Sequence, residues 1–348
     1  MRIERREHQP VRLVALGVVG ACLLMLLLGS LLVVAAGAPV WPSWLALLKG
    51  AFGSRMAISE VLTRCTPLIL TGLACAVAFR ARLWNIGAEG QFYAGALVVA
   101  ALGGGALQLQ AWLLVPLLLV AGALGGGLYL LGPAMLKHWV NVDEVVTTLL
   151  LNFVMLLLVS LLIQGPMHDP MSMGWPQTEP VLDGAMLPRL MAQTRLHAGL
   201  LVALGCALLV ALVEARSSFG LQRRAVGHNP AAARFAGIST TRIVVWTALW
   251  SGGLAGLAGA VEVLGLRGFV TGDLSPGFGY TGVIVAMLAR LHPAAVPVAA
   301  FLVAAIFVGA DAMGRAFNVP SYIAEVMVAL SLFVMLATSF VLTYRIRR

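Results

Sequence analysis

Long apolar runs separated by short polar connections dominate the chain. They lack the period-2 alternation of barrel strands, and they exceed the roughly 10 residues of such strands. Most have the length of about 20 residues with which a helix crosses a bilayer. Cut at charges and at Gly/Pro clusters, the runs lie near residues 12–36, 57–79, 86–106, 111–136, 143–164, 196–213, 243–265, 279–289, 294–313 and 321–343. The pattern predicts an all-α integral membrane protein of about ten transmembrane helices, forming a single transmembrane domain over residues 1–348.

Two of the runs have unusual lengths. The first, 12–36, exceeds the roughly 7–15 apolar residues of a secretory signal, so we predict a retained helix. The eighth, 279–289, is too short for a simple span and favours a re-entrant or broken helix, which is tolerated only where protein or a cavity covers it. Which face of the membrane residues 266–280 reach stays open.

Composition excludes a large catalytic domain. Of the 348 residues, 60% are hydrophobic and 11% charged, whereas soluble domains have about half and a quarter. The four cysteines lie within apolar runs without C-x-x-C spacing, which indicates neither a disulfide framework nor a metal site. The sequence predicts no cofactor and no metal.

The net charge of +9 is explained by its distribution along the chain. If the N-terminus is cytoplasmic, most lysines and arginines fall in cytoplasmic segments, as the positive-inside rule requires. The exceptions among the 23 are Lys49, Arg55, Arg64, Arg189, Arg195, Arg267 and Arg315. We therefore predict a multi-pass protein with both termini in the cytoplasm, and no nucleic-acid partner.

Motifs of covalent chemistry are missing from the sequence. It contains no G-x-x-x-x-G-K-[ST] phosphate loop, no H-E-x-x-H and no G-x-S-x-G. The chain is therefore predicted not to be an enzyme, and any ATP hydrolysis belongs to another chain.

An internal repeat is visible in two segments. Gly90–Val98 aligns with Gly277–Val285, and Asn141-Val142 opens a span much as Asn318-Val319 does. The two members of each pair are five spans apart, an odd number that reverses direction across the membrane. This predicts an inverted-topology repeat, with a first copy about 57–164 and a second about 243–343.

Glycines in apolar runs predict close helix packing. Two G-x-x-x-G patterns occur, at Gly122/Gly126 and at Gly252/Gly256. Small residues at this spacing let helix backbones approach each other.

Polar residues interrupt the apolar pattern near residue 85. Asn85, Glu89 and Gln91 lie between two spans beside glycines that permit a helix break. Their side chains either meet a polar solute or bond freed backbone groups, and the residues alone do not decide between these roles. Asn152, midway along the fifth span, either lines a cavity or joins helices by hydrogen bonds.

Three segments in order resemble a known family. They are the Asn-Ile-Gly-Ala-Glu-Gly-Gln of 85–91, the Glu-Val-Val-Thr-Thr-Leu-Leu-Leu-Asn of 144–152, and residues 224–238. They resemble permease subunits of bacterial ABC importers for nucleosides and simple sugars, which are related to ribose and branched-chain amino-acid permeases. The resemblance covers roughly 55–340 and implies a type II ABC importer-like fold. It implies a substrate pathway beside Asn85, Glu89, Gln91, Phe92 and Asn152.

The third segment lies in a basic region of about 216–240. Asn229-Pro230 is a good helix start and Gly237 a good stop. A basic inner loop also follows from the positive-inside rule or from contact with anionic lipid. The resemblance instead implies a cytoplasmic coupling segment that docks on an ATPase, through Arg224, Gly227, Asn229, Ala232, Arg234 and Gly237.

The resemblance also implies the partners and the location. These are ABC ATPase subunits, a second permease subunit that is identical or homologous, an extracytoplasmic solute-binding protein and membrane lipid, in the bacterial cytoplasmic (inner) membrane.

A ribose-type or branched-chain amino-acid permease is an alternative within the class. A self-sufficient secondary transporter is an alternative outside it, although its coupling-ion carboxylates would lie at mid-membrane, whereas the acids here cluster at span ends. An intramembrane enzyme is disfavoured because the six histidines lie at loops or span ends. The loop 165–195 could receive the binding protein or be a variable surface.

Overall fold

The protein is almost entirely helical. The computed structural model describes residues 2–5, 11–107, 109–318 and 322–347. Its helices are α1 Val11–Ala35, α2 Val40–Phe52, α3 Arg55–Arg80, α4 Ala88–Gly103, α5 Ala111–Val140, α6 Glu144–Gln164, α7 Gly199–Arg216, α8 Ser218–His228, α9 Pro230–Phe235, α10 Thr240–Glu262, α11 Phe278–Leu288, α12 Val296–Phe317 and α13 Tyr322–Thr343. The predicted all-helical bundle is confirmed.

Short elements complete the described chain. A π-helical turn, Val263–Arg267, extends α10, and 3₁₀ turns occur at Asp183–Ala185 and Pro293–Ala295. The strands β1 Arg2–Arg5 and β2 Tyr344–Arg347 pair antiparallel, with Arg2 opposite Arg347. The sequence analysis did not predict this strand pair.

Membrane spans can be assigned from helix length and hydropathy. In the described ranges, seven helical segments are long and apolar enough to cross a bilayer, and the bent pair α1–α2, with 110° between its halves, could make an eighth. A multi-pass membrane protein is thus confirmed. The count of about ten spans and the inverted repeat are not confirmed and stay predictions. The predicted short eighth run is α11, and its length of 11 residues explains part of the difference.

The residues form two compact units, Met1–Val61 with Leu302–Arg348, and Leu62–Phe301. The first contains α1, α2, α13 and the strand pair. The second contains α4 to α11 and most of α3. All residues of the candidate site belong to the second unit.

Glycines determine the packing at the centre of the second unit. Gly126 on α5 faces Gly252 and Gly256 on α10 so closely that a Cβ atom on any of them would overlap backbone atoms of the other helix. Gly95 on α4 meets the backbone of Gly256 in the same way. The close helix packing predicted from the two G-x-x-x-G patterns is therefore confirmed.

Candidate functional site

A break between α3 and α4 places Asn85 inside the protein. The chain leaves α3 at Arg80, and Asn85 is fully buried. Its amide pairs reciprocally with that of Gln91, with Nδ2 donating to Oε1 at 2.8 Å and Oδ1 accepting from Nε2 at 2.7 Å. Asn85 Oδ1 also accepts from the Gly87 nitrogen at 3.0 Å, and Nδ2 donates to Ser251 Oγ at 2.9 Å. The two amides therefore bond each other and fix the break.

Asn152 on α6 supports the same break from the other side. Its Oδ1 accepts from the Gly90 nitrogen at 2.8 Å, and its Nδ2 donates to the Ile86 carbonyl at 2.9 Å. These backbone groups belong to the region where α4 begins. Asn152 Nδ2 also lies 3.3 Å from the hydroxyl of Tyr280 on α11. One buried side chain thus joins α4, α6 and α11.

Glu89 connects the beginnings of two short helices. It lies in the first turn of α4, and its Oε2 accepts a 2.7 Å hydrogen bond from the nitrogen of Gly279 in the first turn of α11. A Cβ atom on Gly279 would overlap the Glu89 backbone, so the two N-termini are in contact. Helix N-termini carry partial positive charge, which a carboxylate between them compensates.

The structure brings the five predicted pathway residues together. Asn85, Glu89, Gln91, Phe92 and Asn152 are all buried, with at most 3% of any of them exposed. Phe92 packs on Phe278, with ring centroids 6.0 Å apart. Most of their polar groups are used within the chain, which favours the bonding of freed backbone groups over direct contact with a solute.

Sequence reasoning missed Tyr280 as a member of this site. Its side chain meets Asn152, yet 37% of the residue is exposed. A signal was present, because the alignment of the two repeat segments places Tyr280 opposite Tyr93. Tyr93 is buried and bonds the loop before α11, donating to the Gly272 carbonyl at 2.8 Å.

Two charged residues near the turn between α5 and α6 contact the backbone of the break where it leaves α3. Glu144 accepts from the Trp84 nitrogen at 3.2 Å and forms an ion pair with Lys137. The Lys137 ammonium also donates to the Arg82 carbonyl at 2.9 Å. Arg82 has φ 54°, in the left-handed region that non-glycine residues rarely adopt. Charged side chains thus hold a strained turn directly after α3.

The predicted short helix in the basic region is present as α9. Asn229 caps it, with Oδ1 accepting from the nitrogens of Ala231 and Ala232 at 3.0 and 3.1 Å. Gly237 has φ 79° and ends the turn. Ala232 is exposed, and Phe235, which sequence reasoning missed, is 96% exposed. α9 therefore presents a small apolar surface to its surroundings.

Arg223 does not fit the alternative interpretation of this region as a basic inner loop in contact with anionic lipid, because it is buried. It lies on α8, a helix that the sequence analysis did not predict, and only 1% of it is exposed. Its guanidinium pairs with Glu214 on α7, and Glu214 Oε2 lies 2.8 Å from Arg80 Nη1. Burial lowers the pKa of Arg223 to about 9, so the group stays charged at neutral pH.

The long loop between α6 and α7 is ordered by the chain segment after α10. The nitrogens of Thr178, Val181 and Leu187 donate to the carbonyls of Val270, Gly268 and Leu264 at 3.0, 2.8 and 2.7 Å. Met171, Met173 and Trp175 at its tip are exposed. The loop is therefore a fixed surface with an apolar tip.

Metal binding has no support in the described part of the chain, where no three His, Cys, Asp or Glu side chains are grouped to hold an ion. The four cysteines are free thiols.

Membrane-spanning helices around a polar, glycine-interrupted centre are typical of a transport protein. The chain belongs to the family described as branched-chain amino acid transport system / permease component, whose model matches residues 57–343. The resemblance stated from the sequence is thereby confirmed. The chain is the permease component of an ABC importer, a transport subunit.

Three relatives are 31% to 34% identical to the chain over their aligned residues. The glucose ABC transporter permease protein TsgB13 of Haloferax volcanii is 34% identical, over 84% of this chain and 79% of the relative. The guanosine ABC transporter permease protein NupP of Bacillus subtilis is 33% identical, over 94% and 93%. The nucleoside ABC transporter permease protein NupB of Lactococcus lactis is 31% identical, over 88% and 86%. Among solved structures, PsaBC from Streptococcus pneumoniae in complex with Fab has a TM-score of 0.49 at 13% identity, covering 85% of this chain and 95% of that chain.

Proposed function

We propose that the chain carries a nucleoside or a simple sugar across the bacterial cytoplasmic membrane. The names of the three relatives support this solute class. The observation that carries the proposal in the structure is the pairing of Tyr280 with Asn152 where α4, α6 and α11 meet. A partly exposed phenol ring suits the flat face of a nucleobase or sugar, and its hydroxyl, which Asn152 holds in place, suits a polar edge of the solute.

The solute pathway passes Tyr280, and the buried residues behind it hold the surrounding helices in place. Asn85, Gln91 and Asn152 stabilise the non-helical backbone between α3 and α4 by hydrogen bonds, and Glu89 holds α11 against α4. Phe92 packs behind them on Phe278. In this proposal the five predicted residues position the pathway, and Tyr280 contacts the solute.

The inverted repeat fits the same arrangement. A two-fold axis in the membrane plane would relate the short helices α4 and α11 to each other, so that their N-termini point towards each other. The meeting of the α4 and α11 N-termini at Glu89 and Gly279 supports this relation.

The driving force comes from separate ATPase subunits that dock on the coupling segment, residues 216–240. Support comes from α9, a capped helix with exposed Ala232 and Phe235. Arg234 lies on α9 itself and Arg224 on the preceding α8. Gly227 lets α8 pack on the end of α3, and Gly237 ends the turn. ATP binding and hydrolysis would move this segment against the helices and open the path alternately to the two sides.

Both chain termini lie in the cytoplasm, and the loop 165–198 lies outside. The pairing of β1 with β2 supports a common side of the membrane for both termini, and the distribution of lysine and arginine along the chain supports the cytoplasm as that side. The exposed apolar tip of the loop supports docking of an extracytoplasmic binding protein. A second permease subunit, identical or homologous, completes the transporter.

Transport by the reconstituted complex tests the proposal. Permease, ATPase and binding protein are placed in proteoliposomes, and uptake of labelled guanosine, glucose and leucine is measured with and without ATP inside. We expect ATP-dependent uptake of guanosine or glucose. Uptake confined to leucine would favour the branched-chain amino-acid alternative, and uptake without ATP would favour a secondary transporter.

A further inference from the structure

A buried cluster of three charges joins three helices of the second unit. Arg223 of α8 and Arg80 of α3 both pair with the carboxylate of Glu214 on α7. The side chain of Arg223 is 1% exposed and that of Glu214 is 4% exposed. Phe219 lies over the Arg223 guanidinium, 5.8 Å from its ring centroid to Cζ. Burying charges in this way costs free energy unless their partners stay in place, so the cluster fixes the three helices relative to one another.

A second, independent contact joins α8 to the end of α3. A Cβ atom on Gly227 would overlap the Arg80 carbonyl oxygen and approach the Ala81 backbone to 3.2 Å. α8 therefore touches the end of α3 both by backbone packing and through the charges of Arg223, Glu214 and Arg80.

The proposed docking helix moves with α8. Val226 of α8, Ala233 of α9 and Ile243 of α10 form one buried apolar cluster, with Phe219 and Ile238 packed against it. Because packed side chains resist continuous deformation, a displacement of α9 is passed to α8.

On the other side, Arg80 leads directly into the α3–α4 break. The chain continues through Arg82 and Trp84, whose backbone groups are held by Lys137 and Glu144. The next residue is Asn85, the centre of the buried amide network. Contacts thus run without interruption from α9 to the break.

We propose that Arg223, together with Glu214 and Arg80, links the coupling segment to the α3–α4 break, so that movement of the docked ATPase changes the shape of the pathway. This inference rests on the proposed docking of α9 on an ATPase. Arg223 is a positioning residue in this proposal and contacts neither solute nor ATP.

The substitution Arg223→Met tests the link while leaving Glu214 paired with Arg80. The complex with ATPase and binding protein is reconstituted in proteoliposomes, and ATPase co-purification, ATP hydrolysis and solute uptake are measured. We expect co-purification close to that of the unmodified complex and a fall in uptake per ATP of roughly tenfold, the size of effect typical of a mutation within a network of packed residues that couples two sites. The matched control is Arg216→Met, which removes an exposed arginine two residues from Glu214 and should leave uptake per ATP unchanged.

If the Arg223→Met protein does not accumulate in the membrane, Gly227→Ala tests the same link between the coupling segment and the α3–α4 break. It keeps every charge and improves helix propensity, yet its methyl group displaces α8 from the Arg80 carbonyl. We expect the same fall in uptake per ATP. Normal uptake per ATP in either variant would overturn the link, as would an equal fall in Arg216→Met.

The docking variant Ala232→Glu separates failure of this inference from failure of the proposed function. It should release the ATPase, whereas Arg223→Met should retain it. If Arg223→Met also releases the ATPase, Arg223 serves to hold the docking helix in shape and the link is wrong. If Ala232→Glu retains the ATPase and full transport, the docking proposal itself is wrong.

Discussion

The carboxylate of Glu89 accepts a hydrogen bond from the backbone nitrogen of Gly279, 2.7 Å away and 190 positions along the chain. This contact places the N-termini of α4 and α11 against each other. A negative charge between two positive helix ends is favourable, and it ties the two segments that the sequence analysis aligned as a repeat.

Glu89→Gln should destabilise this junction. The amide keeps the shape and an acceptor oxygen but loses the charge, and the difference between charged and neutral hydrogen bonds predicts a loss of about 1 kcal/mol. Thermal unfolding in detergent measures it. The control Glu179→Gln removes an exposed carboxylate and should leave the midpoint unchanged. An unfolding midpoint equal to that of the unmodified protein would refute the role of the charge.

Gln91→Leu should cost stability as well as transport. It removes both hydrogen bonds between Gln91 and Asn85, while Asn85 keeps its contacts with Gly87 and Ser251; the loss of two buried hydrogen bonds costs about 1–3 kcal/mol. Unfolding and membrane abundance are measured beside uptake. The control Gln164→Leu, at the exposed end of α6, should have little effect. Lost uptake with full stability would instead show that Gln91 contacts the solute directly.

Tyr280→Ala should raise the apparent KM for solute uptake more than Tyr280→Phe does. Loss of the ring removes a stacking surface of the kind worth about 1–3 kcal/mol, so the apparent KM for uptake should rise roughly tenfold. Phenylalanine keeps the ring and loses only the contact with Asn152. Tyr322→Ala, at another exposed tyrosine, serves as the control. An unchanged KM in Tyr280→Ala would remove Tyr280 from the pathway.

Single-cysteine labelling should show both chain ends and the coupling segment on one face. In a background lacking the four native cysteines, positions near Arg224 and Arg347 should react only from the cytoplasm, and positions near Pro180 only from outside. The positive-inside rule predicts this result, and the β1–β2 pairing requires the two chain ends to lie on the same face. Labelling of position 224 from outside intact cells would contradict the topology.

Much of the helical layout follows from hydropathy alone. The predicted runs 143–164 and 279–289 correspond to α6 Glu144–Gln164 and α11 Phe278–Leu288. The agreement is close because charged residues and glycines tend to end apolar helices. The start of α9 was also predictable, since Asn and Pro cap helices by local chemistry.

Features that depend on distant contacts could not be predicted in this way. Arg223 looks like any surface arginine in the sequence, and only the fold places it beside Glu214 and Arg80. The exposed Tyr280 and the buried Tyr93 occupy equivalent positions of the aligned segments, so local pattern cannot separate them. α8 was missed because runs were cut at charges, and its arginines interrupt the apolar pattern.

Docking of an ATPase on α9 is the central requirement of the proposed transport mechanism, and Ala232→Glu tests this docking most directly. An acidic side chain there would carry a charge into an apolar contact, at a greater penalty than the loss of about 1 kcal/mol expected for the cap variant Asn229→Ala. The control Ala111→Glu adds the same charge at the exposed start of α5. Co-purification of the ATPase with the permease is the measurement. We predict that Ala232→Glu loses the ATPase and ATP-driven uptake, while Asn229→Ala is milder and Ala111→Glu is unaffected. Normal co-purification and normal uptake in Ala232→Glu would contradict the account.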